Sequence, residues 1–421
     1  MRKLLYVCLD GLGDDPVPEL GDRTPLEAAA TPFLDELARR GQQGLVHTVG
    51  EGIAPESDIA VFAILGYDPR EEHPGRGVLE AIGSGMDFED GDLAHRVNFA
   101  TVEDGRIVDR RVGRDFPSED ARSLAEEVNA SLGLSGAEAE LRATVEHRGA
   151  LVIRSDAGPL SANISNTDPA YAKEGTLGVA LETFEDRPAR CEPLDDTEPS
   201  RRAAELTNLI VEEARKILEA SEVNVRRRSE GRLPANLILT RDAGDHVPRL
   251  QPLKDRFGPE WGCFVEMPVE RGIALVLGMG EVEAPRHAND AERYEAWARL
   301  AGEAIDGYDA LYLHLKGPDL PAHDGRAADK RDVVETIDAA FFGTLLSAVR
   351  PDGALIAVTA DHATSSPRKA HTADPVPLVV AGPGVAADGT ESFGERAARD
   401  GRIGTLRGVE ILPRLVDLLR S

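Results

Sequence analysis

Two apolar runs in this chain each end in an aspartate, and that pattern narrows the fold more than any other feature. Asp10 closes LLYVCLD and is followed by Gly11-Leu12-Gly13-Asp14, and Asp361-His362 closes ALIAVTADH. In open α/β sheets, ligands collect beyond the carboxyl ends of the strands. Acids at both ends therefore point to a mostly parallel, helix-covered sheet with a site along one edge. Asp10 could instead cap a helix, and Asp361 could merely terminate a strand; two such ends in one chain favour the ligand reading. Between them lie Ser57, in Pro55-Glu56-Ser57-Asp58, and Asp319 and His323, in KGPDLPAHDG; His371 comes after them in KAHTADPVP. Three aspartates, three histidines and a serine suffice for two divalent metals and a nucleophile, the equipment of phosphate-ester chemistry.

The order of elements agrees with an α/β core. A strand is expected over Leu4–Leu9, then a helix over Phe33–Arg40, with Pro32 at its start and Gly41 past its end. A second helix is expected from Ser57 to about Leu65, stopped by Gly66. The last third returns to this alternation, with strands in ALYLHL, ALIAVTA and PLVVAG, and helices over Asp332–Val349 and Leu406–Leu419. Residues 75–235 differ. They hold short alternating strands, with a hairpin predicted at Glu103-Asp104-Gly105 in HRVNFATVEDGRIVDRRV. ALVIRS, TLGVALETF and a helix over Ser200–Ala220 come next, with exposed loops expected at Glu192–Ser200 and Val225–Pro234. Strand–helix patterning resumes at ANLILTRD. The expected organisation is a core of residues 1–74 and 236–421 with a smaller α+β domain, 75–235, inserted into it.

Charge and cysteine content bound the partners. With 421 residues the chain is long enough for more than one domain. Its formal net charge of -27 repels nucleic acid and anionic membranes, so neither is an expected partner. The same field repels an anionic substrate, so a phosphate site needs its own cations. The three cysteines, Cys8, Cys191 and Cys263, are widely spaced and form no C-x-x-C pair. Buried thiols in a reducing cytoplasm are expected. The N-terminal apolar stretch is too short for a signal peptide or a membrane span. The oligomeric state is left open.

Individual residues carry the chemistry. Asp319 and His323 are spaced i, i+4, which places both on one face of a helical turn, able to share one ion. Mixed oxygen and imidazole donors suit Mn²⁺, Zn²⁺, Co²⁺ or, less well, Mg²⁺. Ser57 at a helix start would meet free N–H groups that favour an anion; it could equally be an ordinary N-cap. Arg110, Arg111 and Arg114 cluster after the predicted hairpin, and Arg148 and Arg241 stand near other strand ends. They are candidates to bind phosphate or carboxylate, or else form a solvated charged face. His147 is either a general acid–base group or a structural histidine.

Taken together, LDGLGDDPVPELGDRTPLEAAATPFLDELAR, PESD, ILGYDP, GRGVLEAIGSG, RVNFATVEDGRIVDRR, KGPDLPAHDG, TADHAT and AHTADPVPLV resemble the archaeal-type, cofactor-independent phosphoglycerate mutases of the alkaline phosphatase superfamily. The resemblance covers nearly the whole chain. It implies one metal on Asp319, His323 and His371, and a second on Asp10, Asp361 and His362 with Ser57 as nucleophilic ligand. It also implies a substrate domain inserted after the serine helix. Val61-Phe62 stands where family members usually carry a histidine, and Ala363-Thr364-Ser365 replaces their Ala-Thr-Pro.

The expected function is interconversion of 3-phosphoglycerate and 2-phosphoglycerate through a phosphoserine. Two divalent ions, Mn²⁺ foremost, would serve it, without 2,3-bisphosphoglycerate. Arg110, Arg111, Arg148, Arg241 and His147 would hold the small phosphorylated substrate. The rivals are a metal-dependent phosphatase or phosphotransferase on the same core, and a non-catalytic metal- or phosphate-binding protein.

Overall fold

The structure, a computed structural model, describes residues 2–174, 177–181, 183–285, 289–349 and 353–420. The expected strand in TLGVALETF is described only over Leu177–Ala180; Thr176 and Glu182 lie outside the described residues. The chain divides into two compact units: Met1–Glu72, Leu250–Glu266 and Ala274–Ser421 form the first, and His73–Arg249 with Met267–Ile273 the second.

The first unit is built on an eight-stranded sheet. Its strands, in chain order, are β1 (Lys3–Leu9), β2 (Gln42–His47), β3 (Trp261–Phe264), β4 (Gly280–Glu281), β5 (Ala310–Leu315), β6 (Ala354–Thr359), β7 (Val376–Ala381) and β8 (Gly404–Arg407). They lie in the order β4-β3-β5-β1-β6-β7-β2-β8. All neighbours pair in parallel except β7, which runs antiparallel to both β6 and β2. Leu4–Leu9 are wholly buried, as a strand covered on both faces requires, and each such leucine or valine contributes roughly 1.5–3 kcal/mol. Register sets where the acids fall, because Cys8 pairs with His314 on one side and Thr359 on the other. The carboxyl ends of β5, β1 and β6 thus finish level, and Asp319, Asp10 and Asp361 come shortly after them in the chain.

Two helices of the first unit depart from expectation. Asp332–Val349 is three segments: helices Ala327–Ile337 and Gly343–Ala348 with a π-helical turn, Asp338–Phe342, between them. The Asp338 carboxylate in that wider turn accepts the N–H groups of Phe33 (3.2 Å) and Leu34 (2.8 Å), capping helix Pro32–Arg40. Leu406 is not helical. It lies in β8, paired to Val46 of β2, and the last helix is Ile411–Arg420.

In the second unit, Leu93–Glu103 is the central strand. It pairs antiparallel with Arg106–Asp109, Arg148–Ser155 and Leu237–Gly244, and Ala137–Ala143 extends the sheet beyond Arg148–Ser155. The hairpin turn is made by Asp104 (φ 49°) and Gly105 (φ 75°), the left-handed pair that a two-residue turn requires. Two expectations are corrected here. The strand in ANLILTRD belongs to this sheet, so residues 236–249 join the second unit and not the core. An apolar run reads the same whichever sheet it joins. Val225–Pro234 is not a loop throughout: Glu222–Ser229 is a helix, and Arg227 is buried in it, bonded to Leu233 O and the Asp115 carboxylate.

Candidate active site

The site in the first unit is assembled by two strand ends, two helix starts and one hairpin. After β1 the backbone turns through Gly11, whose N–H donates to Asp361 Oδ1 (3.0 Å); Asp10 N–H itself donates to Leu315 O, at the end of β5. Asp10 therefore closes a strand and caps no helix. Helix Ser57–Ile64 has Glu56 as its N-cap. Ser57 is the first helical residue, and its Oγ lies 3.1 Å from His362 Nε2, so its hydroxyl is turned toward the imidazole. Asp319 opens the short helix Asp319–His323, behind Pro318. His371 sits on the strand Ala370–Thr372, paired antiparallel with Ala363–Ser365.

The seven predicted residues form two groups. Asp319 Oδ1 lies 3.4 Å from His323 Nε2 and 3.6 Å from His371 Nε2. His362 Nε2 lies 3.3 Å from Asp361 Oδ2 and 3.6 Å from Asp10 Oδ1. Donors at about 2.0–2.2 Å from a shared ion stand roughly 3–3.5 Å apart, so both spacings fit one ion per group. Asp10 Oδ1 and Asp361 Oδ2 are buried and have no hydrogen-bond partner among the described residues. A buried carboxylate oxygen left bare is costly unless a cation meets it. The imidazoles are oriented as ligands usually are: His371 Nδ1 is 2.8 Å from Pro55 O and His323 Nδ1 is 3.2 Å from Lys369 O, leaving Nε2 to the carboxylate. The His362 and His371 rings stack at 3.8 Å, joining the groups.

Electrostatics reflects this crowding. Burial pushes the Asp361 carboxyl up to about 7, with Asp10 adding to the effect. Burial also opposes ionisation of Asp10, but Lys316, whose Nζ is 3.1 Å away, together with His314 and His362, holds it well below the usual carboxylate range. Asp319 is likewise held low by the three imidazoles, against burial and Asp10. Burial and His371 keep His362 neutral, as a metal ligand must be. His371 is raised to about 9: burial opposes its charge, but Asp319 and Glu56 favour it.

The second unit gathers the predicted cations. The buried His147 imidazole is pushed down to about 3, first by burial and then by Arg148, Arg111, Arg96 and Arg241 around it. It is neutral there and offers no proton as an imidazolium. Arg241 is not at a strand end; it lies within Leu237–Gly244, its guanidinium 3.7 Å over the Tyr171 ring and 3.1 Å from Asp168 Oδ2. Arg110 binds both oxygens of the same carboxylate. The Arg111 and Arg148 guanidiniums have no hydrogen bond or ion pair among the described residues. Burial and neighbouring cations push Arg96 down to about 9. Such crowding leaves a place for an anion.

Sequence reasoning missed several contributors. Lys316 stood inside KGPDLPAHDG, at its first position. His314 was a lone polar residue in ALYLHL, and that interruption was its signal. Arg96 and Asp168 gave none, nor did Lys330. This last is a fully buried lysine on helix Ala327–Ile337 that donates to Gly13 O (2.9 Å), Thr364 O (2.9 Å) and Asp14 Oδ2 (3.0 Å).

A mostly parallel, helix-covered sheet carrying a serine and two aspartate–histidine groups at its strand ends defines an α/β protein with the donors of metal-assisted phosphoryl chemistry. The family profile described as 2,3-bisphosphoglycerate-independent phosphoglycerate mutase matches residues 38–224. A protein of that name from Aeropyrum pernix is 42% identical over 427 residues, covering 99% of each chain, and one from Methanopyrus kandleri is 37% identical, covering 99% of this chain and 96% of its own. Among solved structures, a cofactor-independent phosphoglycerate mutase from Thermoplasma acidophilum is 34% identical with a TM-score of 0.65, each chain covered in full. A structure from Pyrococcus horikoshii is 31% identical with a TM-score of 0.81, covering 100% of this chain and 97% of that one. The chain belongs to the 2,3-bisphosphoglycerate-independent phosphoglycerate mutase family, a family of isomerases.

Proposed function

We propose that this protein interconverts 3-phosphoglycerate and 2-phosphoglycerate through a phosphorylated Ser57, using two divalent ions and no 2,3-bisphosphoglycerate. The observation that carries the reading is Ser57 Oγ, 3.1 Å from His362 Nε2, beside buried Asp10 and Asp361 oxygens that meet no hydrogen-bond donor among the described residues. Asp10, Asp361, His362 and Ser57 would hold one ion, and Asp319, His323 and His371 the other. Oxygen donors with one or two imidazoles suit Mn²⁺ best, with Co²⁺, Zn²⁺ and Mg²⁺ as alternatives. Bound there, such ions supply Lewis-acid charge for the phosphoryl oxygens and lower the pKa of a nearby hydroxyl.

The residues of the chain do the rest. The Ser57 hydroxyl gives up its proton as Oγ attacks phosphorus, and the glycerate oxygen leaves with the electrons of the broken bond and takes up a proton. Glycerate then turns, its other hydroxyl loses its proton as it attacks the phosphoserine, and Ser57 Oγ leaves with the electrons of its bond to phosphorus and is reprotonated. Arg111 and Arg148, whose guanidiniums have no hydrogen bond or ion pair among the described residues, are the first choice to hold the glycerate carboxylate, with Arg110, Arg241 and His147 around them. Cytoplasmic location fits three buried free cysteines and an absence, among the described residues, of any helix long and apolar enough to cross a membrane. The test is an assay of the purified, Mn²⁺-loaded protein with 3-phosphoglycerate, following 2-phosphoglycerate and free phosphate together. Accumulation of 2-phosphoglycerate supports the mutase; release of free phosphate alone would make it a phosphatase.

A further inference from the structure

We propose that the Thr364 hydroxyl is a positioning bridge that couples the two metal-ligand groups, so that each group depends on it for its geometry. The bridge rests on the two-ion reading of the site. Thr364 is wholly buried, and it is the residue paired across the hairpin with His371. Its Oγ1 lies 2.7 Å from Asp319 Oδ1 and 3.0 Å from His362 Nδ1. Asp319 belongs to one group and His362 to the other.

Hydrogen-bond chemistry fixes the direction of this bridge. A hydroxyl has one proton, and a carboxylate only accepts, so the proton points to Asp319. The lone pairs left on Oγ1 can then only accept, so His362 donates Nδ1–H. That assigns the tautomer from the network: Nε2 carries the lone pair, and Nε2 is the atom facing Ser57 Oγ and Asp361 Oδ2. One hydroxyl thus presents His362 as a ligand to the first ion and orients the Asp319 carboxylate for the second.

The bridge is itself held on all sides. Thr364 N–H donates to Gly13 O (2.9 Å), and Thr364 O accepts from the buried Lys330 ammonium, which also bonds Gly13 O and Asp14. At Gly11 a Cβ would stand 2.8 Å from Thr364 Oγ1, so the loop after β1 packs directly on the hydroxyl. Neither the methyl group nor the backbone of Thr364 supplies the coupling; the hydroxyl does, which distinguishes the bridge from a packing role.

Thr364→Val keeps the shape and removes the hydroxyl, whereas Thr364→Ser keeps the hydroxyl and removes the methyl. Chelator-stripped full-length protein is titrated with Co²⁺, read by calorimetry and by the visible absorption of the bound ion. The titration is repeated in His323→Ala, which leaves the Asp10 group, and in Asp10→Ala, which leaves the Asp319 group. The expected result is two ions in the wild type, a loss of about 10- to 100-fold in affinity on adding Thr364→Val in both backgrounds, and near wild-type binding by Thr364→Ser. Should Thr364→Val show no cooperative thermal transition, Thr364→Ala carries the same expectation. Two ions at wild-type affinity without the hydroxyl, weakening in one background only, or failure of serine to rescue would overturn the bridge. A wild type that does not take two ions would instead overturn the reading beneath it.

Discussion

At Gly11 the backbone has φ +63°, and an added Cβ would stand 2.7 Å from Asp319 Oδ1. Left-handed backbone costs an L-residue about 1–2 kcal/mol, and here the clash falls on a carboxylate proposed to bind an ion. Gly11→Ala is expected to fold with a lowered melting temperature, to bind less Mn²⁺ and to lose at least about tenfold in turnover, by the usual cost of disturbing a ligand's orientation; wild-type metal content in this variant would show that the close approach is unimportant. Arg111 and Arg148 make a different prediction. Removing a charge-assisted hydrogen bond costs about 1.5–3 kcal/mol, so Arg111→Ala or Arg148→Ala should raise KM for 3-phosphoglycerate roughly 10- to 100-fold. Because glycerate would then escape before its second attack, the ratio of free phosphate to 2-phosphoglycerate should rise. Unchanged KM and product ratio in both variants would make these arginines surface charge. The proposed metal donors were legible in the sequence because each ends a strand or stands in a dense motif. Thr364 and Lys330 were not, because the bonds of Lys330, and the Thr364 bond to Asp319, reach residues tens or hundreds of positions away.

At the scale of elements, the helix start at Glu395 is sensitive to pH. Its carboxyl is buried where Thr24, the cap of helix Pro25–Ala28, donates to Oε2 at 2.8 Å, while Oε1 has no hydrogen-bond partner among the described residues. Burial pushes this carboxyl from 4.5 up to about 7. The folded chain therefore keeps a proton that the unfolded chain has released between these values. The contribution to stability is fully present below about pH 4.5 and is lost as pH rises through about 7. Glu395→Gln should flatten this dependence and be more stable than the wild type at pH 8 by about 1–3 kcal/mol, measured by denaturant unfolding at several pH values. An identical pH slope in the two proteins would contradict it. Helix and strand types were readable from periodicity and from the Pro32 and Gly41 boundaries. What periodicity could not supply was partnership. Leu237–Gly244 pairs with Leu93–Glu103 of the second unit, and the π-turn at Asp338 exists beside backbone N–H groups of a helix some three hundred residues earlier.

For the whole molecule, a net charge of -27 means that a phosphorylated acid is drawn only to the places where cations gather: the arginine cluster and the two proposed ion sites. Chelation is expected to abolish activity, and Mn²⁺, Co²⁺ or Zn²⁺ to restore it, with metal analysis approaching two ions per chain; full activity with one ion would contradict the two groups. The central claim is that the phosphoryl group passes through Ser57. The direct measurement is to quench Mn²⁺-loaded enzyme with acid during turnover of 3-phosphoglycerate and locate the phosphoryl group by peptide mass spectrometry. A single modification is expected, on Ser57 in the peptide containing Pro55-Glu56-Ser57-Asp58, absent from an inactive Ser57→Ala variant. A phosphoryl group on another residue, or sustained production of 2-phosphoglycerate by Ser57→Ala, would contradict it.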